Sequence, residues 1–415
     1  MADIRRRTQV AAVIIIIAFA FLAIIASYEV VNYGHEVKWT FSDGSGASYY
    51  STQFANGTVY VFDQGYDVEK VYALNPDGTT RWSTDVESQP VVAANGTIYV
   101  QKTLAGDTGP SFCAIDRSGR VSWSYEVANG SFWQTVLGPE GNIYSDLALY
   151  SNNTSYGSDF TAFGPGGALL WTRHFQYSPS FEALGNGTIL MYTQDGNLTA
   201  FRPDGSTFWR APVGIFASGA LGKDAIYFVV NLADIDGMHA DLYAVSLNDT
   251  LLWRYPGWTW TGRNSADLAC FSNPIVDNMG TIYFTRYNAT GSDPYTSLFA
   301  VNPNGTLRWE YRDSQIGGPA INNGLIVFAS SSGLTALDFG GKVVWRLGGS
   351  FEDWYTRPAF GSDGTVYAAE SNGNYLNGNG IAAVGENPIA LEIGALILLP
   401  IIAVSLVVIW KAMKP

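Results

Sequence analysis

Side chains that could do chemistry are few and scattered in this 415-residue chain. The three histidines, His35, His174 and His239, lie far apart and lack the short spacings that zinc ligands have. The two cysteines, Cys113 and Cys270, also lie far apart in the sequence. These residue types therefore indicate neither a metal centre nor a thiol pair.

Carboxylates form one weak pattern. The segment Asp234-Ile235-Asp236-Gly237, with Asp241 following, resembles the start of a calcium loop but lacks the later bidentate glutamate. The sequence contains no P-loop and no nucleophile elbow. We therefore predict no catalytic residue and no metal ligand from the sequence.

Aromatic side chains make a stronger pattern, because several of them lie in segments that connect predicted strands. Large rings in such loops either stack on a ligand or cap the core beneath them, and the sequence leaves both interpretations open. As ligand-contacting residues we predict Trp133, Trp258, Trp260, Arg263, Trp354 and Tyr355.

The elements that would position these residues come from a ten-residue repeat. It begins with Ala in an apolar run, continues with turn residues and ends with Trp, and its cleanest copy is Ala73–Trp82. Glycine stands four residues before Trp in all copies but the one ending at Trp253, where Asp249 follows Asn248. Such a position favours a positive φ, so each copy is typical of a hairpin. The further copies are Ala114–Trp123, Ala162–Trp171, Ala200–Trp209, Ala244–Trp253, Ala300–Trp309 and Ala336–Trp345.

A second, shorter pattern of turn, β-branched and aromatic residues precedes each copy, as in Gly57-Thr58-Val59-Tyr60. Two hairpins per unit, repeated at Trp-to-Trp spacings of 36 to 56 residues, predict four-stranded sheets arranged radially. The last unit, which contains Gly364-Thr365-Val366-Tyr367, has no Trp of its own, whereas Val37–Phe41 has a Trp but no hairpin before it.

The predicted fold is therefore all-β: an eight-bladed β-propeller over residues 37–388 that is closed by the N-terminal strand. Closure would remove the exposed sheet edges. Equivalent outer-strand positions between blades would then be occupied by Trp39, Trp82, Trp123, Trp171, Trp209, Trp253, Trp309 and Trp345.

The repeat Ala-x-Asn/Asp-x-x-Gly-x-x-x-Trp resembles the tryptophan-docking motif of quinoprotein (PQQ-like) propellers over roughly residues 37–388. That family contains PQQ-dependent alcohol dehydrogenases and non-catalytic members such as the outer-membrane assembly lipoprotein. The enzymes carry an adjacent Cys-Cys pair, a Glu-Asn-Asp calcium site and often a haem Cys-x-x-Cys-His. Because the cysteine pair and the haem motif are missing here, the resemblance points to the non-catalytic members, and we predict no cofactor, with PQQ and calcium as the ones it would otherwise imply.

Apolar runs flank the repeats. Arg5, Arg6 and Arg7 precede the run Val10–Ala26, which is interpreted as a signal anchor in residues 1–28 or, less in keeping with its length, as a cleaved secretory signal. Residues 389–415 contain a second run, Ile393–Trp410, followed by lysines. Positive charge on both tails predicts cytoplasmic termini, two transmembrane helices and an extracytoplasmic propeller at the plasma membrane.

The net charge limits the classes of partner, and the glycosylation sequons indicate where the chain would be modified. A net charge of −13 makes nucleic acid a poor partner. Asn-x-Ser/Thr sites outside the shared turns predict a glycoprotein at Asn129, Asn152, Asn153, Asn197 and Asn288.

Loop lengths predict that the variable connections form a binding face that points away from the membrane. The favoured function is a binding or scaffold module for an envelope protein or a glycan at the cell surface. The alternatives are an enzyme, either a quinoprotein dehydrogenase or a polysaccharide-active propeller, and a structural component of a surface layer.

Overall fold

The computed structural model describes part of the chain, and all structural statements concern that part. The described residues are 34–44, 48–64, 68–107, 109–127, 130–151, 154–193, 197–212, 215–234, 237–247, 250–256, 259–260, 273–288, 295–314, 316–330, 332–349, 351, 357–371 and 378–387.

The described strands form eight antiparallel sheets, and each sheet is one blade. Blades 1 to 4 consist of β2 (Ser48–Ala55), β3 (Thr58–Gln64), β4 (Glu69–Leu74) and β5 (Thr80–Val86); β6 (Val91–Val92), β7 (Ile98–Lys102), β8 (Ser111–Ile115) and β9 (Val121–Glu126); β10 (Gly130–Leu137), β11 (Ile143–Ser151), β12 (Thr154–Phe163) and β13 (Leu169–Phe175); and β14 (Ser180–Ala183), β15 (Ile189–Thr193), β16 (Asn197–Phe201) and β17 (Thr207–Pro212).

Blades 5 to 8 follow in chain order, and the last one takes its outer strand from the N-terminal end. They consist of β18 (Ile215–Leu221), β19 (Ala225–Asp234), β20 (Gly237–Ser246), β21 (Leu251–Tyr255) and β22 (Thr259–Trp260); β23 (Ile275–Val276), β24 (Ile282–Asn288), β25 (Tyr295–Val301) and β26 (Leu307–Asp313); β27 (Ala320–Asn322), β28 (Leu325–Ser330), β29 (Gly333–Asp338) and β30 (Val343–Leu347); and β31 (Ala359–Phe360), β32 (Val366–Ser371), β33 (Gly378–Glu386) and β1 (His35–Phe41).

The Ala and Trp of each repeat are cross-strand partners. Ala73 lies opposite Trp82 between β4 and β5, and the other six copies pair in the same way, each followed by a shift in register. In blade 8 the same pair forms between the two ends of the chain, where Trp39 lies opposite Ala383. This pairing confirms that the N-terminal strand completes the eighth blade.

The core is a ring of eight apolar clusters rather than one central mass. Each cluster joins two neighbouring blades; Phe62 of blade 1, for example, packs in the same cluster as Cys113 of blade 2. Other clusters join blades 2 and 3, 3 and 4, 4 and 5, 5 and 6, and 6 and 7. The last two join blade 7 to blade 8 and blade 8 to blade 1, so the ring is closed.

The repeat Trp residues connect the blades along the outer strands. The Trp82 ring lies on Gly119 in the hairpin turn of the next blade, and its Nε1 donates to the carbonyl of Arg117 at 2.8 Å. Gly119 has a φ of 82°, as the sequence pattern predicted. The same arrangement holds for Trp39, Trp123, Trp171, Trp253 and Trp309, which donate to Pro76, Pro165, Pro203, Pro303 and Phe339.

Two repeat Trp residues lack this hydrogen bond within the described part of the chain. Trp209 precedes the copy of the repeat that has Asp249 at the glycine position, and its buried Nε1 has no acceptor among the described residues. Trp345 lies in β30, the outer strand of blade 7, and its buried Nε1 also has no acceptor among the described residues. Its ring stacks instead on His35, with ring centroids 4.2 Å apart.

The propeller has two different faces. The face that we call the turn face carries the short turns between the first and second and between the third and fourth strands of each blade. Both ends of the described propeller lie side by side there, because Asn387 N donates to Gly34 O at 2.7 Å. The opposite face, which we call the loop face, carries the connections between the second and third strands and between blades.

Some details differ from the sequence prediction. Strand β1 begins at His35 rather than Val37, because His35 and Glu36 pair with Glu386 and Gly385. Blade 5 has a fifth short strand, since Thr259 and Trp260 pair with His239 and Met238 of β20. Residues 1–33 and 388–415, which hold the predicted membrane spans, lie outside the described residues. Within the described part of the chain no helix is long and apolar enough to cross a membrane.

Candidate ligand sites on the loop face and in the central channel

Trp133 is the predicted contact residue that the structure describes most fully. It lies in β10, where the register with β11 shifts between Phe132 and Gln134. Such a bulge redirects a side chain. The Trp133 side chain is 70% exposed, while the neighbouring Phe132 is buried. The ring is held in place because its Nε1 donates to the Tyr150 hydroxyl at 2.9 Å.

Two further aromatic residues lie near the same end of blade 3, and the sequence reasoning missed both. Tyr150 supports the Trp133 ring from β11. Tyr177 follows β13 in the connection to blade 4 and is 53% exposed. The loop lengths around blade 3 were the only signal in the sequence that could have pointed to them.

The other predicted contact residues are less completely placed. Trp260 lies in β22, whose backbone pairs with β20. Outside the described residues lie Trp258, Arg263, Trp354 and Tyr355, so their role stays a prediction. The glycosylation candidates Asn129, Asn152 and Asn153 also lie outside, whereas Asn197 begins β16 and Asn288 ends β24.

A cavity of about 440 Å³ opens on the inner side of blades 4 to 8. First strands of neighbouring blades contact each other there, as β14 does with β18 and β18 with β23, so these strands surround the propeller axis. The lining is largely aliphatic, and among its described residues Glu182 and Arg357 are the charged ones. Neither was singled out from the sequence, because nothing in their local segments marks them.

Glu182 and Arg357 come from opposite sides of the ring. Glu182 lies in β14 of blade 4, and its Oε2 accepts from the Gly219 amide of blade 5 at 2.6 Å. Arg357 precedes β31 of blade 8, and its Nη2 donates to the Asn273 carbonyl of blade 6 at 2.9 Å. Gly318 makes room for this side chain, because a Cβ there would lie 2.8 Å from Arg357 Cγ.

The two charges influence each other without direct contact. Burial raises the pKa of Glu182, and the Gly219 amide and then the Arg357 charge oppose that shift. Burial lowers the pKa of Arg357, and the Glu182 charge opposes it. Both side chains are described, and no ion pair within 4.0 Å joins them. Each is surrounded by protein yet keeps accessible surface, as expected for a group that lines a channel.

The described residues do not fit the calcium site that the quinoprotein resemblance would imply. Among them, no group of three or more His, Cys, Asp or Glu side chains could hold a metal ion. Asp241 of the weak calcium-loop pattern is buried and paired with Arg254. Cys113 is a free, buried thiol whose pKa is raised by burial to about 11.

Comparison with known proteins agrees with this architecture. Residues 34–151 match the family model of the outer membrane protein assembly factor BamB. A search of curated protein sequences gives no match. The fold, the Ala–Trp repeat and the family match together make the chain an eight-bladed β-propeller with PQQ-like repeats.

Solved propeller structures are similar in fold. The Dos1 propeller is 11% identical, with 85% of this chain and 95% of that chain covered and a TM-score of 0.55. Sqt1 from Saccharomyces cerevisiae is 10% identical, with 84% and 98% covered and a TM-score of 0.55. A streptogramin B lyase is 14% identical, with 72% and 93% covered and a TM-score of 0.44. At these identities the likeness to the Dos1 and Sqt1 structures concerns the fold alone.

Proposed function

We propose that this protein is a membrane-anchored, extracytoplasmic propeller that binds an envelope protein or a glycan on its loop face. The sidedness of the propeller is the observation that carries the proposal. Gly34 and Asn387 leave the turn face side by side. Short connections from there to the apolar runs Val10–Ala26 and Ile393–Trp410 would hold the turn face close to the membrane.

Exposed apolar side chains support this orientation. They lie in the first two residues of outer strands, directly after the hairpin turns of the turn face, and blades 3 to 6 carry most of them. Exposed apolar side chains at the end of the propeller nearest the membrane can contact a membrane or a protein surface. The residues are Leu169, Leu170, Phe208, Leu251, Leu252 and Leu307.

The loop face offers the contrasting chemistry of a recognition surface. Trp133 presents a large, supported ring to solvent, and Tyr177 is exposed near the same end of blade 3. Rings fixed in this way contribute contact area at little entropic cost, both to sugars and to proteins. The BamB family match favours a protein partner, since its name denotes an assembly factor for membrane proteins.

Site-directed labelling of the full chain in intact cells tests the orientation. After both native cysteines are changed to serine, Tyr177→Cys on the loop face should react quickly with a membrane-impermeant maleimide. Met279 lies on the turn face and is similarly exposed. Met279→Cys should react at least several-fold more slowly than Tyr177→Cys, and the two rates should become equal after detergent is added. Equal rates in intact cells would refute the orientation, and release of the chain by alkaline carbonate would refute the anchor.

Photocrosslinking tests the binding face. A benzophenone amino acid at position 133 should capture a defined envelope protein or glycan, whereas the same group at position 279 should not. Capture from position 279 alone would place the binding surface on the wrong face. Equal capture from both positions would indicate non-specific contact and contradict the proposal.

A further inference from the structure

The central cavity carries a pair of opposite charges, Glu182 and Arg357, and the bridge that Glu182 makes between two blades does not require its charge. Gln53 in blade 1 occupies the same register position as Glu182 in blade 4: Gln53 pairs with Tyr60 as Glu182 pairs with Leu190. The Gln53 amide bridges to the next blade through Pro90 O and Val92 N, at 3.2 and 3.3 Å. A neutral amide thus suffices for the bridge between blades.

The charge of Glu182 is therefore an addition to this bridging role. Its Oε2 serves the bridge to Gly219, whereas no described residue donates to its Oε1. Arg357 likewise uses one of its five donors on Asn273 O. Charged groups in such surroundings are costly unless they are paired, and these two do not pair directly. Both consequently retain hydrogen-bonding capacity toward the cavity.

The geometry points to a binding site for a small zwitterion, an aliphatic α-amino acid, held on the propeller axis between Glu182 and Arg357. The guanidinium would take the ligand carboxylate, for which its planar fork is suited, and the Glu182 carboxylate would take the ammonium group. A lone anion would be repelled by Glu182 and a lone cation by Arg357. A ligand with both charges is attracted at both ends.

The rest of the lining defines the apolar part of the ligand. Leu184, Leu221, Ile275 and Ile321 line the same cavity, which gives an aliphatic side chain a surface to cover. The volume of about 440 Å³ lies within the range of roughly 300–1,000 Å³ found for small-molecule sites. The site lies in the central channel alone and does not depend on whether the propeller is attached to a membrane.

Equilibrium dialysis of the detergent-solubilised full chain tests the site with L-leucine as the probe. We expect saturable, one-to-one binding of L-leucine. Leucinamide, which lacks the carboxylate, and 4-methylpentanoate, which lacks the ammonium group, should each bind at least tenfold more weakly. Glycine should also bind more weakly, because it has no side chain to cover the aliphatic lining.

Variants separate binding from folding. Glu182→Gln removes the charge but keeps an acceptor for the Gly219 amide, just as Gln53 makes the equivalent bridge in blade 1. The variant should weaken L-leucine binding at least tenfold. Arg357→Lys keeps the charge but loses the fork and should also weaken it. Glu140→Gln, an exposed turn residue of blade 3, is the matched control and should leave binding unchanged.

Two outcomes would overturn the inference. If none of the probes binds while Glu182→Gln lowers the melting temperature, the pair is a structural element of the channel. If L-leucine binds equally well to Glu182→Gln and to the control, the ligand lies elsewhere on the protein.

Discussion

His35 is the first residue of β1 and stacks on Trp345 where blade 7 meets blade 8, which we call the seam of the ring. This position determines the pKa of His35. Stacking on Trp345 buries the imidazole, and its Nδ1 has no hydrogen-bond partner among the described residues. Burial, with a smaller contribution from the Lys38 charge, lowers the pKa of His35 to about 4. The neutral ring is thus the form that the closed propeller accepts.

Asp63 shifts in the opposite direction. It is almost completely buried in β3, and its Oδ1 has no partner among the described residues. Burial and then the nearby Asp43 charge raise the pKa of Asp63 to about 6. As the pH falls through this range, protonation of Asp63 therefore increases the stability of the folded protein, whereas the pKa shift of His35 decreases it.

The variant His35→Phe keeps a ring on Trp345 but cannot take up a proton. The unfolded chain binds a proton at His35 near pH 6.5, whereas the folded chain binds it near pH 4, so wild-type stability at this site falls as the pH is lowered from 6.5 to 4. The variant lacks this loss. We expect its melting temperature to gain on the wild type by on the order of 2 °C between pH 7.5 and pH 5.

Thermal unfolding at several pH values measures this difference. Asp63→Asn is the companion variant, because it should show the reverse trend: its advantage over the wild type should be largest at pH 8 and should shrink as the pH falls from about 6 toward 3.8. Parallel curves for wild type and His35→Phe would show that the stack at the seam does not control the protonation of His35.

At the level of elements, the turn between the third and fourth strands acts as a docking platform. Gly341 has a φ of 83°, and a Cβ there would lie 2.8 Å from Trp309 Cδ2. Gly364, in a turn between the first and second strands of blade 8, has a φ of 88°, but a Cβ there would meet nothing within 4 Å. A substitution at Gly364 therefore tests backbone strain alone, whereas the same substitution at Gly341 tests backbone strain together with the docking of Trp309.

We predict that Gly364→Ala destabilises the propeller by about 1–2 kcal/mol through left-handed backbone strain alone. Gly341→Ala should cost about 1–3 kcal/mol more, because it also displaces the Trp309 ring and its hydrogen bond to Phe339 O. Urea unfolding of both variants supplies the comparison. Equal losses would mean that the docked Trp adds nothing to stability beyond the turn itself.

For the whole molecule, closure is the decisive event, because blades 8 and 1 meet across the two ends of the propeller segment. Trp39 docks on Gly78 of blade 1 with the geometry that Trp82 shows on Gly119 of blade 2. The chain runs directly from blade 1 into blade 2, whereas blade 8 is joined to blade 1 by packing and by strand β1. Loss of the Trp39 contact should therefore affect the closure of the ring, whereas loss of the equivalent Trp82 contact should not.

We predict that Trp39→Ala and Trp82→Ala each cost about 2–4 kcal/mol, since both rings are half-buried. Only Trp39→Ala should open the ring. Amide hydrogen exchange in β1 and β33 should accelerate at least tenfold in Trp39→Ala and stay unchanged in Trp82→Ala. Similar exchange in the two variants would show that β1 remains paired without its docked Trp.

Local patterns were enough to predict the blades and their closure. Glycine four residues before Trp specifies a left-handed turn, and alternating apolar residues specify the strands around it, so both can be read within ten residues of sequence. The missing Trp of the last unit and the unpaired Trp39 then required strand β1 to come from the other end. The outward position of Trp133 was predicted from its place near a connection, but the bulge that exposes it depends on the register with β11.

The central site was decided by the tertiary structure alone. Glu182 and Arg357 lie in unremarkable segments far apart in the chain, and they face each other because ring closure puts blades 4 and 8 on opposite sides of one axis. The partner of Trp345 is of the same kind, since His35 reaches it only when the two ends of the propeller meet. Periodicity along a chain determines which strands form and in what order they pack. Which side chains meet across the ring depends on long-range geometry, and no local pattern encodes it.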